Sequence, residues 1–365
     1  LVGIKNSIIN KIKPISKNDK VELIKDFEHN FIILVNGILD SSNFKHEDKT
    51  KIKISDYKNE NFSSETIVKN SLFDLNNALY EGGYNLAVAN NYKFNKPLIV
   101  YNYFSDNLNN KIINNKNLII IDSNSSLDII EFNLDTSKNN FIQNNFTNIK
   151  IGENSSLKNY TIQGCKSRKF YYKFVKSFLS KKSNYENYIF ASGLKFNKID
   201  EEVDINGEKA NCTIKSALFL DTDCHQEIRT QLNHLKPNCT SYQKIKDVLN
   251  KNSKSVYQGK IFVKDIAQKT DAYQLSKALL LGDRSEFNAK PELEIYADDV
   301  KCSHGSTSGS LDEDSIYYMM TRGINRKNAV KLLTKGFLYE IANSISNYEI
   351  KNFIEKNLDS QIYGN

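Results

Sequence analysis

The feature that most constrains the fold is the spacing of short apolar runs between about residues 98 and 308. These runs alternate with Asn, Asp, Ser and Gly, and none is long enough to predict a helix. Many short strands with regular turn signals are typical of a sandwich, a barrel or a solenoid. One internal repeat favours the solenoid. Residues 122–127 read D-S-N-S-S-L, and residues 152–157, which lie 30 positions later, read G-E-N-S-S-L.

We therefore predict a mainly β fold with some helix, in which stacked coils form a parallel β-helix. In such a fold each coil returns the chain to the same face, so that turn residues stack on turn residues and inward Leu or Ile side chains stack on their equivalents. Chance repetition in a chain rich in Asn and Ser is the alternative explanation of the repeat. The steady supply of short strands favours the solenoid over this alternative.

The two flanks of the chain differ from its middle. We predict a mixed α/β region over residues 1–97, the β-helix core over 98–308 and a helical region over 309–365. In the first region, apolar residues at helical spacing predict two helices. The first is short and contains Val21, Leu23, Ile24 and Phe27, and the second ends before Gly82.

The C-terminal region is predicted to contain two helices. Residues 312–314 are all acidic, which is favourable at a helix N-terminus, and Gly323 follows as a stop signal. A second helix is predicted from about residue 326 to 345, with one apolar stripe. Such helices cannot continue a solenoid coil, so we expect them to pack on the end or side of the β body or to carry a partner.

Composition excludes several classes of protein. The formal net charge is +7, but Lys is scattered and Arg is scarce, so we do not expect nucleic-acid binding. No apolar run reaches the roughly 18 residues of a transmembrane helix. The N-terminal residues lack the pattern of a secretory signal, and we therefore expect the cytoplasm.

Familiar catalytic and metal-binding motifs are missing from the sequence. The five Cys residues include no C-x-x-C pair, which disfavours a zinc ribbon or a thioredoxin-like site. No H-E-x-x-H, no G-x-S-x-G and no Gly-rich phosphate loop occurs, so we predict no Rossmann fold, no P-loop and no enzyme of these classes.

The segment 290–307 contains the strongest candidate site. Its alternating pattern predicts a strand, and if the strand continues to residue 304, Cys302 and His304 lie on the same face. A thiol beside an imidazole can hold a soft or borderline metal. Zinc and iron–sulfur clusters take about four ligands, so the others must come from elsewhere in the fold or from another subunit. The alternative is a buried Cys beside a structural His.

Two other pairs are weaker candidates. Cys224 and His225 are adjacent, so in a strand their side chains point to opposite faces and do not share a site. Glu292 and Glu294 share a strand face and could form an acid/base pair, but two exposed carboxylates at a solvated edge are the commoner case.

Five segments together resemble the SufD family of the SUF iron–sulfur cluster assembly machinery. The resemblance is dense over residues 257–324. In the related SufB family a Cys follows the residue that matches Gln274, whereas here Leu275 follows it. The segments are A-Q-K-T-D-A-Y-Q at 267–274, L-L-L-G-D at 279–283, K-P-E-L-E-I-Y-A-D-D-V-K-C-S-H-G at 290–305, L-D-E-D at 311–314 and R-G-I at 322–324.

The resemblance implies a right-handed parallel β-helix flanked by N-terminal and C-terminal helical regions. It implies a non-enzymatic scaffold or accessory subunit that pairs with a SufB-type subunit and binds a SufC-type ATPase through its C-terminal helices. Arg322, Gly323 and Ile324 would then belong to the ATPase contact, and Cys302 and His304 to the interface with the SufB-type subunit.

The same resemblance implies no permanently bound cofactor, but iron or an iron–sulfur cluster held transiently at the subunit interface. SufD proteins usually begin with a helical segment that contains a Trp-Lys-Tyr-like motif, and this Trp-free chain lacks it, as expected of a short variant or a truncated chain. An unpaired solenoid edge also predicts a homodimer when no partner is present. The alternative function is a β-helix carbohydrate-active enzyme, which would need clustered carboxylates in a groove.

Overall fold

The computed structural model describes residues 23–57, 70–105, 108, 111–135, 141–164, 170–192 and 194–363. Nineteen β-strands account for most of this part of the chain. The strands are β1 Asn30–Val35, β2 Ile38–Asn43, β3 Ile52–Asp56, β4 Gly82–Val88, β5 Leu98–Phe104, β6 Ile112–Ile121, β7 Ser126–Asp135, β8 Ile142–Ile151, β9 Ser156–Gly164, β10 Phe170–Leu179, β11 Asn184–Ser192, β12 Phe196–Ile205, β13 Asn211–Leu220, β14 His225–His234, β15 Thr240–Leu249, β16 Lys254–Val263, β17 Asp271–Leu280, β18 Glu286–Ile295 and β19 Lys301–Gly309.

From β4 onward, successive strands alternate between two sheets. The odd-numbered strands pair in parallel in a ten-stranded sheet, and the even-numbered strands pair in parallel in a nine-stranded sheet. Each strand is therefore hydrogen-bonded to the strand one coil earlier and one coil later, which is the pairing of a parallel β-helix. The predicted fold class is confirmed. The first parallel pair in the chain joins β1 to β5, with Asn30 opposite Leu98. The predicted division of the chain into three regions stays a prediction.

The 30-residue repeat marks one corner of the coils. Ser126 pairs with Ser156 across β7 and β9, so the two copies of the motif stack in register. In the turn before each strand, Asn124 and Asn154 have φ angles of 59° and 55°, a left-handed conformation that Asn tolerates well. Their side-chain amides are joined by a hydrogen bond of 3.3 Å. The solenoid interpretation of the repeat is confirmed.

The interior of the coils is mostly apolar. Its largest cluster runs from β1 to β14 and the following Cys239, and it includes wholly buried aliphatic residues such as Leu157, Val203 and Ile214. Each such side chain contributes roughly 1.5–3 kcal/mol relative to exposure in water. Because side chains alternate along a strand, this inner face is set by every second residue.

The two ends of the coil stack differ. At the N-terminal end, β2 pairs antiparallel with β1 and β3 pairs antiparallel with β4, so the last strand of each sheet is antiparallel to its neighbour. At the C-terminal end, β18 and β19 are the last strands, and no further strand of the described residues pairs with either.

Four α-helices are described: α1 Ser71–Leu79, α2 Glu313–Thr321, α3 Arg326–Ala342 and α4 Tyr348–Tyr363. The side chains of Asn70, Asp312 and Asn325 accept backbone hydrogen bonds at the N-termini of α1, α2 and α3. Leu338 and Ile341 pack with residues from the outer face of the ten-stranded sheet. The two predicted C-terminal helices are confirmed as α2 and α3, whereas α4 was not predicted. α3 and α4 lie on the side of the β body, and α2 packs on α3.

The short helix predicted from Val21 to Phe27 is wrong for the described residues, because residues 23–29 are not helical, and Val21 lies outside the described residues. The Tyr101 hydroxyl accepts the backbone N–H of Ile24 at 3.0 Å, and the His29 ring contacts the backbone oxygen of Phe27 at 2.9 Å. Apolar spacing here serves packing against Phe353 of α4 in an irregular segment. Among the described residues, no helix is both long enough and apolar enough to cross a bilayer.

Candidate functional site

Cys302 and His304 lie in β19, the last strand of the ten-stranded sheet. In the parallel pairing with β17, Cys302 is opposite Ala272 and His304 is opposite Gln274. The prediction of one strand continuing through residue 304 is wrong, because β18 ends at Ile295 and β19 begins at Lys301 in the other sheet. Within β19, residues 302 and 304 are two positions apart, so the thiol and the imidazole lie on one face of it. This is the inner face, because Cys302 packs against the buried cluster that contains Ala272.

The Cys302 thiol is half-buried in the last coil, beside Val300 and Ala297. Burial raises the pKa of this thiol, and a hydrogen bond with the Ala272 backbone offsets only part of the effect. The thiol is therefore protonated at neutral pH in the isolated chain. A metal ion or a cationic group from outside the chain would be needed to favour the thiolate.

His304 is exposed at the open end of the coil stack. Across the described ranges, no group of three or more His, Cys, Asp or Glu side chains is arranged to hold a metal ion. Zinc and iron–sulfur sites take about four protein ligands. Cys302 and His304 alone are therefore too few to hold a zinc ion or an iron–sulfur cluster.

The open end of the stack has two unlike edges. β18 contains Pro291 together with Lys290 and Glu292, and proline and charge are the features that blunt a free strand edge. Residues 302–309 of β19 include no proline and no Lys, Arg, Asp or Glu. The edge of β19 is therefore better suited to pair with a strand of another chain, and it is the edge that carries Cys302 and His304.

These observations coincide with a match to a known family. The family described as "SUF system FeS cluster assembly, SufBD core domain" matches residues 103–337, which is more than half of the chain. The chain belongs to the SufBD core family. The matched region extends from β5 to α3, so it contains both the parallel coils and the open edge of this SufBD chain.

Three curated relatives refine this assignment. The iron–sulfur cluster assembly protein SufD of Escherichia coli is 34% identical over 160 residues, which are 44% of this chain and 38% of that protein. The SufD of Plasmodium falciparum is 26% identical over 246 residues, 67% of this chain and 17% of that protein. The SufBD family protein slr0076 of Synechocystis is 40% identical over 124 residues, 34% of this chain and 26% of that protein. The SufD resemblance is confirmed, and the matches cover less than half of each relative.

Arg322, Gly323 and Ile324 form the connection between α2 and α3 of this SufBD chain. Gly323 has a φ angle of 84°, which ends α2 in the left-handed conformation that glycine adopts readily. The Arg322 guanidinium lies 5.3 Å from the ring centre of Tyr318, whose side chain is exposed. These residues therefore belong to an accessible surface, and their predicted role in binding an ATPase stays a prediction.

The weaker candidate pairs do not form a site. The Cys224 thiol contacts the Thr222 carbonyl at 3.7 Å, while the His225 ring stacks on Phe196 at 5.0 Å. Adjacent residues thus face different surroundings, as the sequence indicates.

The carboxylates of Glu292 and Glu294 are each held by a lysine. Glu292 lies 2.5 Å from Lys290, and Glu294 lies 2.6 Å from Lys260. These ion pairs lower the pKa of both carboxyl groups. Neither group has the raised pKa that a general acid needs at neutral pH.

The SufBD interior contains polar groups that the sequence pattern does not reveal. The Lys173 ammonium lies 2.6 Å from the Glu131 carboxylate, and both side chains are almost wholly buried. A second group lies nearer the open end, where the hydroxyl of Thr230 donates to the amide oxygen of Gln243 at 2.5 Å. Polar residues at alternate strand positions resemble solvent-facing residues in sequence, so nothing in the pattern distinguishes the two. Gly259 is the one local sign in the sequence: a glycine inside a strand often marks a place where other atoms approach the backbone closely.

Proposed function

We propose that this chain is a non-enzymatic scaffold or accessory subunit of the SUF iron–sulfur cluster assembly complex, which pairs with a SufB-type subunit through the edge of β19. The observation that carries the proposal is that Cys302 and His304, too few to complete a metal site among the described residues, lie on a strand edge that has no partner strand and, over residues 302–309, neither charge nor proline. A second chain that pairs there would bring its own side chains to this pair.

The free edge of β19 also favours association. A free strand edge presents unpaired N–H and C=O groups and associates with other strands unless it is protected. Among the described residues the two sheets end in β2 and β3 at the N-terminal end and in β19 and β18 at the C-terminal end. At the C-terminal end, residues 302–309 of β19 contain neither charge nor proline, which favours a partner there. A homodimer through the same edge is the expected state when no SufB-type partner is present.

In this proposal iron or an iron–sulfur cluster is cargo rather than a resident cofactor. Cys302 would bind as a thiolate and His304 through a neutral ring nitrogen, and both require loss of a proton. Because burial raises the pKa of the Cys302 thiol, the isolated chain binds metal weakly. The partner's contribution to the site then makes binding depend on assembly.

The ATPase contact is proposed for the connection between α2 and α3. Tyr317 and Tyr318 of α2 are 70% and 60% exposed, which is unusual for aromatic side chains on a short helix. Arg326 and Glu313 form two hydrogen bonds of 2.7 Å that hold α2 against α3. A SufC-type ATPase would therefore meet a fixed surface that includes Arg322.

The edge pairing is tested by anaerobic co-purification with SufB-type and SufC-type partners. Consecutive residues of a strand direct their N–H groups to opposite sides of the strand. Thr307 and Ser308 are consecutive, so one of their N–H groups points to the free edge and the other to β17. Of the variants Thr307→Pro and Ser308→Pro, one therefore removes a donor from the free edge and the other removes a donor from the pairing with β17. We expect the variant that lacks the donor on the free edge to lose the SufB-type subunit while its melting temperature stays unchanged. Retention of the partner by both folded variants would refute edge pairing.

The role of the ligand pair is tested separately. His304→Ala is expected to leave the fold and the complex intact, because the side chain is exposed, and to reduce the yield of cluster. Ser303→Ala is the matched control, because Ser303 is an exposed neighbour on the opposite face of β19. A normal cluster yield in the intact His304→Ala complex would exclude the assigned role.

The carbohydrate-active alternative would show itself as turnover of polyuronides. The groove on the outer face of the nine-stranded sheet has a volume of about 230 Å³ and is lined by Glu202, Arg229, Lys260 and Glu292 among others. Lysines neutralise its outer carboxylates. Membership of the SufBD family supports cluster assembly instead.

A further inference from the structure

A group of lysines lies on the outer face of the ten-stranded sheet, close to its free edge. Lys215 of β13 is opposite Lys244 of β15, and Lys246 of β15 is opposite Lys277 of β17. Neighbouring strands lie about 4.8 Å apart, so the four side chains crowd together on one face. We call these four residues the lysine cluster. Its last member, Lys277, is one strand away from β19.

The lysine cluster carries more positive charge than its surroundings neutralise. Glu340 of α3 forms ion pairs with Lys244 and Lys246, whereas Lys277 has no ion pair among the described residues. Burial lowers the pKa of Lys246, Glu340 partly offsets this effect, and the charges of Lys244 and Lys277 lower the pKa further. The ammonium of Lys277 is therefore near enough to repel that of Lys246, and it has no carboxylate of its own.

The packing of α3 accounts for only part of the lysine cluster. The Lys246 ammonium donates to the Phe337 carbonyl at 2.9 Å and lies 4.2 Å from the ring centre of Phe337. Together with the ion pairs of Glu340, these contacts hold α3 on β15. Lys277 takes no part in them, and it lies one strand nearer to the free edge. A structural role in holding α3 thus leaves Lys277 unexplained.

Tyr273 provides a second donor beside the same edge. Its ring stacks on that of Tyr242, with the ring centres 5.6 Å apart. A Cβ atom at Gly305 of β19 would lie 3.9 Å from the Tyr273 hydroxyl and 3.2 Å from the Leu275 side chain. The hydroxyl therefore leans over β19, and it has no hydrogen-bond partner among the described residues. Tyr273 and Lys277 thus lie on either side of Leu275 with two unused donors.

We propose that this outer face of β17 and β19 receives acidic side chains from the strand of the SufB-type subunit that pairs with β19. The inference rests on the proposed function and deepens it, because it states the chemistry by which that partner is recognised. A strand paired with β19 covers the half-buried Lys277. An ammonium that loses its water without gaining an acceptor is unfavourable, so the covering strand must bring a carboxylate.

The geometry of the sheet defines where the acidic residues lie. A strand paired with β19 runs about 10 Å from β17. The outward residues of β19 between them are small: Ser303, Gly305 and Thr307. The carboxylate of a Glu side chain can therefore meet Lys277 across β19. Side chains on one face recur every second residue, so a carboxylate for Lys277 and an acceptor for Tyr273 lie four residues apart on the partner strand.

A second copy of this chain fits the lysine cluster less well. In a homodimer with antiparallel β19 strands the twofold axis is perpendicular to the sheet, so the two lysine clusters lie on the same face. Like charges on one face of paired strands are destabilising. The homodimer is therefore the weaker of the two pairings, and a strand of opposite charge is the complementary partner.

Zero-length cross-linking tests the proposal on the unaltered chain. A water-soluble carbodiimide joins an ammonium to a carboxylate where the two groups are in contact. In the purified complex with a SufB-type subunit we expect a cross-link between Lys277 and an Asp or Glu of that subunit, identified by mass spectrometry. Absence of a cross-link from Lys277 in a complex whose other lysines are cross-linked would overturn the acidic contact.

Affinity measurements give the size of the effect. Lys277→Glu should weaken binding of the SufB-type subunit by at least about tenfold at low salt, because like charges then face each other. Lys236→Glu makes the same change in net charge at an exposed turn and is the matched control. It should change the affinity by less than about twofold. Changing the cross-linked partner residue to Lys should restore binding to Lys277→Glu and weaken binding to the wild-type chain.

The outcomes distinguish this proposal from the proposed function. If the wild-type chain binds the SufB-type subunit and folded Lys277→Glu binds it equally well, the acidic contact is overturned while edge pairing stands. If the wild-type chain does not bind the subunit, the proposed function is overturned and the acidic contact with it. If inorganic phosphate alone protects Lys277 from acetylation as fully as the subunit does, the lysine cluster is a site for small anions, and the acidic contact is overturned.

Discussion

Asp247 provides a prediction whose size follows from its surroundings. This residue of β15 is 1% exposed and faces the interior. One carboxyl oxygen accepts from the Ser255 hydroxyl at 2.5 Å, and the other has no partner among the described residues. Burial raises the pKa of this carboxyl from 3.8 to about 7, and the Ser255 hydrogen bond counteracts only part of this effect.

The sign of the pH dependence follows from this shift. A carboxyl whose pKa is higher in the folded state than in the unfolded state binds its proton more tightly when folded. Folding is therefore favoured at low pH, and the free energy of unfolding decreases as pH rises from about 4 to 7. With about 1.4 kcal/mol for each tenfold change in proton affinity, a pKa raised from 3.8 to about 7 corresponds to a loss of about 4 kcal/mol in the free energy of unfolding, complete above pH 7.

Asp247→Asn removes the ionisation and keeps the shape of the side chain. We expect the variant to be similar in stability to the parent at pH 4.5, or slightly less stable, and more stable by up to about 4 kcal/mol at pH 8. Urea unfolding of both proteins at pH 4.5, 6 and 8 measures the difference, and comparison of the two cancels all other titrating groups. Asp283→Asn, at an exposed turn, is the control and should show no such trend.

The result that would refute this reasoning is a difference between parent and Asp247→Asn that stays constant from pH 4.5 to 8. Asp247 would then ionise as readily in the folded chain as in the unfolded one. Internal water bound to its unpaired oxygen would be the physical cause.

Three further outcomes are expected. Lys173→Met should cost about 3–5 kcal/mol in urea unfolding because it leaves Glu131 buried without its partner, whereas Lys173→Met combined with Glu131→Gln should recover most of this loss. Leu338→Ala should lower the free energy of unfolding by about 2–5 kcal/mol, since this wholly buried side chain of α3 packs against the sheet, and a loss below 1 kcal/mol would contradict that packing. Glu340→Gln should accelerate amide hydrogen exchange in α3 by up to about fivefold, because the ion pair with the buried Lys246 is lost, and unchanged exchange would show that apolar contacts alone hold the helix.

Several parts of the fold could be predicted because they depend on nearby residues. Asn124 and Asn154 mark left-handed turn positions, which few residue types tolerate. Asp312 and Gly323 mark the start and end of α2 through its unpaired backbone groups. The spacing of Cys302 and His304 alone places them on one strand face. In each case the physical cause acts within a few residues.

The sequence by itself thus determined the repeated turns, the helix ends and the shared face of the two candidate ligands. Only the tertiary structure decided that Lys173 meets Glu131 across 42 positions of sequence, and that Gln274 lies opposite His304. It also decided that the stack ends in two antiparallel strands on one side and in the parallel strands β18 and β19 on the other. These features depend on which coil follows which and on what fills the interior. An inward polar side chain has the same alternation as an outward one, so its partner is known only once the coils are stacked.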